Sequence, residues 1–485
     1  MSDKLQKTNV SLARAQNQLS IAGKLITEGN EAKLIAFMRR YPQFAIDSIS
    51  RFYPLSEHLI FINDVWDWEK LSENSNIPWS AELIERCSNK WEWIRFSSNP
   101  ALPWLPELIE LYQDEWDWEE LSRNSNLPWS LKLMEHFQDE WIWSDLSGNS
   151  ALPWSTELIQ RYRDKWNWYK LSRSHSIPWS AELIERFQDK WNWGALSSNP
   201  ALPWSTELIE RFQDEWEWSD LSGNLALPWT TELIKRYRAK WWYWSDLSRN
   251  SALPWSIELI ERNKDEFDWH WGFLSSNPAL PWSEELIEHF YCYWAWKQLS
   301  GNSAFSWSTE LIERYRDKWN WSDLSGNSAL PWSTELIERY RDKWNWSDLS
   351  GNSALLWTSE LDERYREKWN WKQLSSNCYL PWTTELIERY QDKWDWSYLG
   401  RNSALPWSME LVDRYQDKLG WEILRWNSAI PWSTDLIECC KDKWAVEMFT
   451  PNEYVYSTIF MGVLTDQMIE DFLTKINEKS EVDLI

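Results

Sequence analysis

Histidine is the first residue type to consider for chemistry, because it binds metals and transfers protons near neutral pH. The chain has 5 histidines among 485 residues: His58, His136, His175, His270 and His289. None has a second histidine or a cysteine at a spacing that suits a metal ion. The histidine pattern therefore predicts no metal centre.

The cysteine and glycine patterns likewise predict no nucleophilic catalysis and no phosphate binding. The 5 cysteines form no CxxC pair, and the 12 glycines form no phosphate-binding loop. The chain also lacks GxSxG and HExxH, which mark hydrolase nucleophiles and zinc proteases. We therefore expect no enzymatic activity and no cofactor.

Tryptophan is the residue type that stands out, with 47 copies. One tryptophan per unit recurs every 25 residues, apart from single steps of 26 and 27, at positions 79, 104, 129, 154, 179, 204, 229, 255, 282, 307, 332, 357, 382, 407 and 432. A fixed short period is typical of repeat proteins, in which each unit packs on its neighbours. The tryptophans therefore predict a tandem array.

The unit LPWSTELIERYRDKWNWSDLSGNSA, read from Leu330, predicts two helices that position these rings. Ser333 followed by Glu335 is a helix start, and Trp332 with Ile337 fits a hydrophobic staple across it. We expect this first helix to run about ten residues. Asn345 then caps a shorter second helix, which the Ser-Gly-Asn sequence at 350–352 ends. The predicted structural core of the unit is Trp332, Leu336, Ile337, Tyr340, Trp344, Trp346, Leu349 and Asn352.

The recurring asparagine at the position of Asn352 has two interpretations. A ladder of amides could face a ligand. The interpretation we favour is that each amide satisfies loop backbone groups inside the stack, because a residue repeated in every copy serves the repeat itself.

These patterns predict an all-α fold, a right-handed superhelical α-solenoid of about 15 two-helix repeats of 25 residues with helical caps. We expect residues 1–55 to form an N-terminal helical cap or a small interaction module. Residues 56–450 are the predicted solenoid, and residues 451–485 a C-terminal helical cap.

The net charge of −25 comes from 75 acidic against 50 basic residues. It is spread at about one excess acid per copy, which indicates a mixed, solvated surface. With no basic groove we expect no nucleic-acid partner. The sequence shows no signal peptide and no run of about 20 apolar residues, so we expect a soluble cytoplasmic protein with no membrane partner.

The period slips between Trp229 and Trp282, where extra residues enter near positions 241–248 and 263–277. Insertions in repeat proteins often lie on the binding face. We therefore single out Trp242, Tyr243, His270 and Trp271 as candidate binding residues. The alternative is neutral drift that bends the array.

The pattern WxWxxLSxNxxLPWSxELIE, over about residues 66–444, resembles the Trp-rich tandem repeats, of about 25 residues, of proteins from bacteria and large DNA viruses. That resemblance implies a repeat architecture and no particular activity. The architecture is also similar to helical-pair solenoids such as tetratricopeptide or HEAT arrays, which implies a protein-binding scaffold by analogy.

Three functions remain open at this point. The first is a scaffold that binds an unidentified protein through variable exposed positions, namely the pair before each Leu-Ser and the residue between Ser and Asn. The second is an immunity or defence-associated protein that neutralises a basic effector through its acidic surface. The third is a carbohydrate or ultraviolet sensor that uses exposed tryptophans.

Overall fold

The computed structural model describes residues 29–240, 244–264, 269–440 and 453–482, with side chains up to residue 476. The chain forms two compact units. Unit 1 combines residues 1–120 with residues 399–485, and unit 2 comprises residues 121–398. The described residues are helical throughout and contain no strand. None of the described helices is both long and apolar enough to cross a bilayer.

The chain is an α-solenoid built from regular helix pairs, as the period predicts. Two N-terminal helices come first, α1 (residues 29–40) and α2 (Pro42–Phe52). The first helices of the repeats are α3 (Glu57–Ile62), α5 (Ala81–Arg86), α7 (Pro106–Leu111), α9 (Leu131–His136), α11 (Thr156–Arg161), α13 (Ala181–Arg186), α15 (Thr206–Arg211), α17 (Thr231–Arg236), α19 (Ile257–Asn263), α21 (Glu284–His289), α23 (Thr309–Arg314), α25 (Thr334–Arg339), α27 (Ser359–Tyr365), α29 (Thr384–Arg389), α31 (Met409–Arg414) and α33 (Thr434–Cys439).

A second, equally short helix follows each first helix wherever the chain is described. These are α4 (Trp68–Glu73), α6 (Trp93–Ser98), α8 (Trp118–Arg123), α10 (Trp143–Leu146), α12 (Trp168–Ser172), α14 (Trp193–Ser197), α16 (Trp218–Gly223), α18 (Trp244–Arg249), α20 (Trp271–Ser276), α22 (Trp296–Ser300), α24 (Trp321–Gly326), α26 (Trp346–Ser350), α28 (Trp371–Ser376), α30 (Trp396–Leu399) and α32 (Trp421–Leu424). A 3₁₀ turn lies at Arg238–Lys240, and the chain ends with α34 (Glu453–Ile459) and α35 (Asp466–Val482).

The first helix of the unit starts where the cap predicts and ends earlier than predicted. The Ser333 hydroxyl accepts a hydrogen bond from the Leu336 backbone N–H at 3.2 Å. The helix then runs only six residues, Thr334–Arg339, because Tyr340 leaves the helical conformation. The indole of Trp344 donates to the Ile337 carbonyl at 3.1 Å. In a continuing α-helix, that carbonyl would instead accept the backbone N–H of the residue four positions later. The turn is therefore part of the repeat's packing.

The second helix depends on Asn345, whose side chain accepts hydrogen bonds from the backbone N–H groups of Ser347 at 3.0 Å and Asp348 at 3.4 Å. The helix covers Trp346–Ser350. Leu349 is fully buried beneath it, as are Ile337 and nearly all of Leu336 from the first helix. The apolar core thus lies between the two helices of each unit and those of its neighbours.

Unit 1 brings the two ends of the chain into one core. The ring of Phe460, just after α34, lies 6.4 Å from Phe37 and 6.2 Å from Phe44. At the rim, Lys33 pairs with Asp435 at 2.6 Å, and the Tyr53 hydroxyl donates to Asp466 at 2.6 Å. The helices within the predicted cap segments therefore pack on each other.

Candidate functional site

The side chains that most repeats share are used for bonding between repeats. The amide of Asn352 donates to the Ser325 carbonyl at 2.9 Å and to the Asn327 carbonyl at 3.2 Å, both one repeat earlier. Its oxygen accepts the Ala354 N–H at 2.9 Å, and the residue is 3% exposed. The structure thus places Asn352 inside the stack, where backbone groups use its amide.

A shared serine forms a second link between repeats. The Ser350 hydroxyl donates to the Trp346 carbonyl at 2.6 Å within its own helix. The same oxygen accepts the backbone N–H of Asn370, in the next repeat, at 2.9 Å. Because Ser350 is fully buried, no part of it is left for a partner.

Each of the three tryptophans of the repeat donates its indole N–H to a backbone carbonyl. Trp332 donates its indole N–H to the Asn327 carbonyl at 3.0 Å, and Trp346 donates to the Arg341 carbonyl at 3.2 Å. The Trp344 ring lies 5.0 Å from Trp332 and 4.9 Å from Trp321 of the preceding repeat. Trp332 and Trp344 are buried and Trp346 is half-buried. Trp332 and Trp344 therefore belong to the core of this repeat.

Tyr340 completes this aromatic cluster and reaches an acid of the preceding repeat. Its ring lies 4.8 Å from Trp321, and its hydroxyl donates to Glu313. Burial and that carboxylate raise the pKa of Tyr340 to about 12. The hydroxyl is therefore a fixed neutral donor at neutral pH.

The variable positions of each copy lie on its second helix or just after it, and we call this surface the second-helix face. It consists of the positions equivalent to Ser347, Asp348 and Gly351 in each copy. In unit 2 it carries Tyr169, which is 51% exposed, as well as the exposed pair Lys297 and Gln298. In unit 1 it carries Ile94 and Trp426, which are 54% and 61% exposed. This face therefore differs in shape and charge from copy to copy.

One stretch of the second-helix face is acidic. Burial raises the pKa of Asp220, and the carboxylates of Glu217 and Asp246 raise it further. No group of three or more potential metal ligands converges in the described part of the chain, and this holds for these acids too. The stretch is instead a local concentration of negative charge.

The candidate binding residues at the insertions fall into two groups. Trp242 and Tyr243 lie outside the described residues. His270 caps α20, because its Nδ1 atom accepts the Phe273 N–H at 3.2 Å, and its ring stacks on Phe273 at 3.9 Å. Trp271 packs 4.8 Å from Tyr293.

The structure therefore gives His270 and Trp271 the places of Asn345 and Trp346 in the repeat. The segment His270-Trp271-Gly-Phe-Leu-Ser-Ser-Asn277 matches Asn345-Trp346-Ser-Asp-Leu-Ser-Gly-Asn352, a signal already present in the sequence. The extra residues enter before this segment.

A row of open cavities lies beside the turns between the first and second helices in unit 2. The largest of those described, of about 810 Å³, is lined by Arg341, Asp342 and residues 363–368. Equivalent cavities of about 630 and 430 Å³ lie beside Tyr340 and Tyr162. Each contains arginine, lysine and carboxylates, so its chemistry is that of ion pairing.

Comparison of the chain with known protein families, curated proteins and solved structures gives no significant match.

Proposed function

We propose that this protein is a non-enzymatic scaffold that binds another protein through the second-helix face. One observation carries the proposal: the shared side chains are used for bonds between repeats, while the exposed positions change from copy to copy. Asn352 and Ser350 illustrate the first group, and Tyr169 and Lys297 the second. Variable side chains on a fixed frame are how helical solenoids select partners.

The experiment replaces the variable residues by those of the most regular copies. This variant, which we call the levelled variant, carries Tyr169→Ser, Lys297→Ser, Gln298→Asp, Lys372→Ser and Gln373→Asp. The frame accepts these residues, because Ser347 and Asp348 hold the same positions in α26. We expect a cross-linked partner of the wild-type protein to be lost by the levelled variant, with the urea midpoint of unfolding unchanged.

The matched control changes exposed residues away from this face, for example Glu182→Gln and Arg186→Gln on α13. These substitutions should leave the cross-linked partner in place. The same partner retained by the levelled variant would contradict the proposal, as would the absence of any cross-linked protein.

A second candidate, neutralisation of a basic effector, is supported by the acidic stretch at Glu217, Asp220 and Asp246. If it is correct, the partner is a basic protein, and Asp220→Asn with Asp246→Asn weakens its binding at low ionic strength. A partner that is lost in the levelled variant and unaffected by these two substitutions would favour the scaffold.

A further inference from the structure

Three successive turns of unit 2 each carry a net positive charge. They are the segments ERYRDK at 313–318, ERYRDK at 338–343 and ERYREK at 363–368, which together we call the turn face. Each segment has three cations and two carboxylates, giving a net charge of +3 for the turn face in a chain of net charge −25. The turn face is thus a local basic strip on an acidic protein.

Most of the carboxylates of the turn face are already bonded between repeats. Arg364 pairs with Glu338, and the nearby Tyr365 hydroxyl and Arg364 guanidinium lower the pKa of Glu338. Asp317 lies 3.5 Å from the ammonium of Lys343, and Asp342 lies 3.4 Å from that of Lys368. These acids balance the inner cations of the strip.

The outer cations are Arg316, Arg341 and Arg366, one per turn. The side chains of Arg316 and Arg341 are 55% and 59% exposed. Arg316 pairs with Glu313 at 3.0 Å, and Arg341 pairs with its chain neighbour Asp342 at 3.5 Å. The guanidinium of Arg366 lies 5.2 Å from the Tyr390 ring centre. Exposed pairs of this kind are weak, so the three arginines can bond to an added anion.

The two largest described cavities lie along this strip. The cavity of about 810 Å³ has Arg341, Arg364, Arg366 and Lys368 in its lining, and the cavity of about 630 Å³ has Arg316, Arg339 and Lys343. Because they recur one repeat apart, a single extended chain can follow both.

We propose that the turn face binds an extended acidic segment of a partner protein, with one carboxylate for each turn. Packed helices lie about 8–10 Å apart, which sets the spacing between neighbouring turns. A polyproline II helix advances about 3.1 Å per residue with three residues per turn, so its residues i and i+3 lie on the same side about 9 Å apart. The spacing therefore fits an acid at every third position of such a helix.

A short peptide matches the strip better than a nucleic acid does. The next turns on either side, at 288–293 and 388–393, carry net charges of −1 and 0, so the run of successive basic turns ends there. A long polyanion extending past the strip would gain no further net attraction from these turns. A peptide of about nine residues ends with the strip.

The probe is a fluorescein-labelled (Asp-Pro-Pro)₃ peptide, measured by fluorescence anisotropy with the full chain at 50 mM salt. The test variant is Arg316→Gln, Arg341→Gln and Arg366→Gln. Glutamine stands at this position in other copies, at Gln138, Gln188 and Gln391, so the turn accepts it. We expect the variant to bind at least about tenfold more weakly, since three ion pairs are lost.

The matched control is Arg163→Gln, which changes the same position in a copy flanked by Gln138 and Gln188. It should leave the affinity unchanged. Peptides (Lys-Pro-Pro)₃ and (Asp-Pro)₄ test charge and spacing, and both should bind at least about tenfold more weakly than (Asp-Pro-Pro)₃.

Three results would overturn the proposal: no binding of (Asp-Pro-Pro)₃, equal binding by the triple variant, or equal loss in the Arg163→Gln control. Competition by a nine-nucleotide deoxythymidylate as strong as that by the peptide would also overturn it, in favour of nucleic acid. The proposal does not depend on the second-helix face, because no substitution of the levelled variant lies in the turn face.

Discussion

Two regions of the molecule differ in how many of the shared residues of the repeat they retain. Residues 308–355, in unit 2, are close to identical copies, with buried Ser325 and Ser350 and with Trp319 and Trp344 in the core. Residues 399–440, in unit 1, have Gly400 and Arg425 where the serines stand, and Leu419 where the buried tryptophan stands.

The divergent region nevertheless keeps the asparagine link. Asn427 donates to the Gly400 carbonyl at 2.9 Å and to the Asn402 carbonyl at 3.4 Å. The indole of Trp407 still donates to the Asn402 carbonyl, at 2.9 Å. The divergent region thus lacks the serine link, whereas it retains the asparagine link and the indole bond to the asparagine carbonyl.

The largest expected effect is the loss of a core ring in the regular region. Trp332→Ala should lower the free energy of unfolding by about 3–5 kcal/mol, because it empties a site that is 6% exposed. Guanidinium denaturation followed by circular dichroism measures this. The control is Trp426→Ala, which removes a ring that is 61% exposed and should cost no more than about 0.5 kcal/mol. Similar costs for both would show that burial does not distinguish them.

The asparagine link should come next. Asn352→Ala leaves the Ser325 and Asn327 carbonyls and the Ala354 N–H without their side-chain partner, so we expect a loss of about 2–3 kcal/mol. Asn352→Ser should cost less, because Ser174 holds this position in one native copy and its hydroxyl accepts the Ser176 N–H at 3.2 Å. If serine costs as much as alanine, the loop bond contributes nothing.

The serine link should have a smaller effect. Ser350→Ala removes the acceptor of the Asn370 N–H and should cost about 1–2 kcal/mol. The reciprocal change, Gly400→Ser, should raise the stability of unit 1 by up to about 1 kcal/mol, since it restores the regular residue. Hydrogen exchange of the Asn370 amide should rise in Ser350→Ala. Unchanged protection there would contradict the role of the serine.

The smallest expected effect concerns one irregular residue beside the regular copies. Asp362 takes the place of Ile337, is 1% exposed and receives a hydrogen bond from the Tyr390 hydroxyl. Its other carboxylate oxygen has no partner among the described residues. Asp362→Ile should therefore raise stability by about 1 kcal/mol at pH 7.

The gain from Asp362→Ile should depend on pH. Burial raises the pKa of Asp362 above its ordinary value of 3.8. Between pH 3.8 and the raised pKa, Asp362 is protonated more fully in the folded chain than in the unfolded chain. The wild-type protein therefore gains stability as the pH falls through this window. We expect the urea midpoints of the wild type and of Asp362→Ile to differ more at pH 7 than at pH 4. The exposed Asp342→Asn is the control, and an equal gain at both pH values would contradict the mechanism.

The local part of the fold could be predicted because its signals lie within one repeat. Ser333 and Asn345 act as helix caps, as predicted, since capping depends on a few neighbouring residues. The first helix is shorter than predicted because the tryptophan indole, whose direction the sequence does not give, takes a helix carbonyl.

The long-range part could not be predicted. Phe37 meets Phe460, and Lys33 meets Asp435, across some 400 residues with no pattern that links them. For the candidate site, a residue-by-residue alignment of the copies pairs His270 with the cap Asn345 and places the extra residues before it. Its role in binding stays a prediction.

The asparagine link has a consequence for how such a chain can change in length. Each amide reaches back only to the preceding copy, and Asn277 still makes its bonds across the longer separations of 29 and 27 residues. A duplicated 25-residue segment would supply its own asparagine amide as donor, and the preceding copy would offer the same backbone carbonyls as acceptors. Extra residues that enter before the second helix leave the bonds of the asparagine unchanged. Unequal recombination between near-identical copies can therefore lengthen or shorten this gene product while leaving every remaining junction intact.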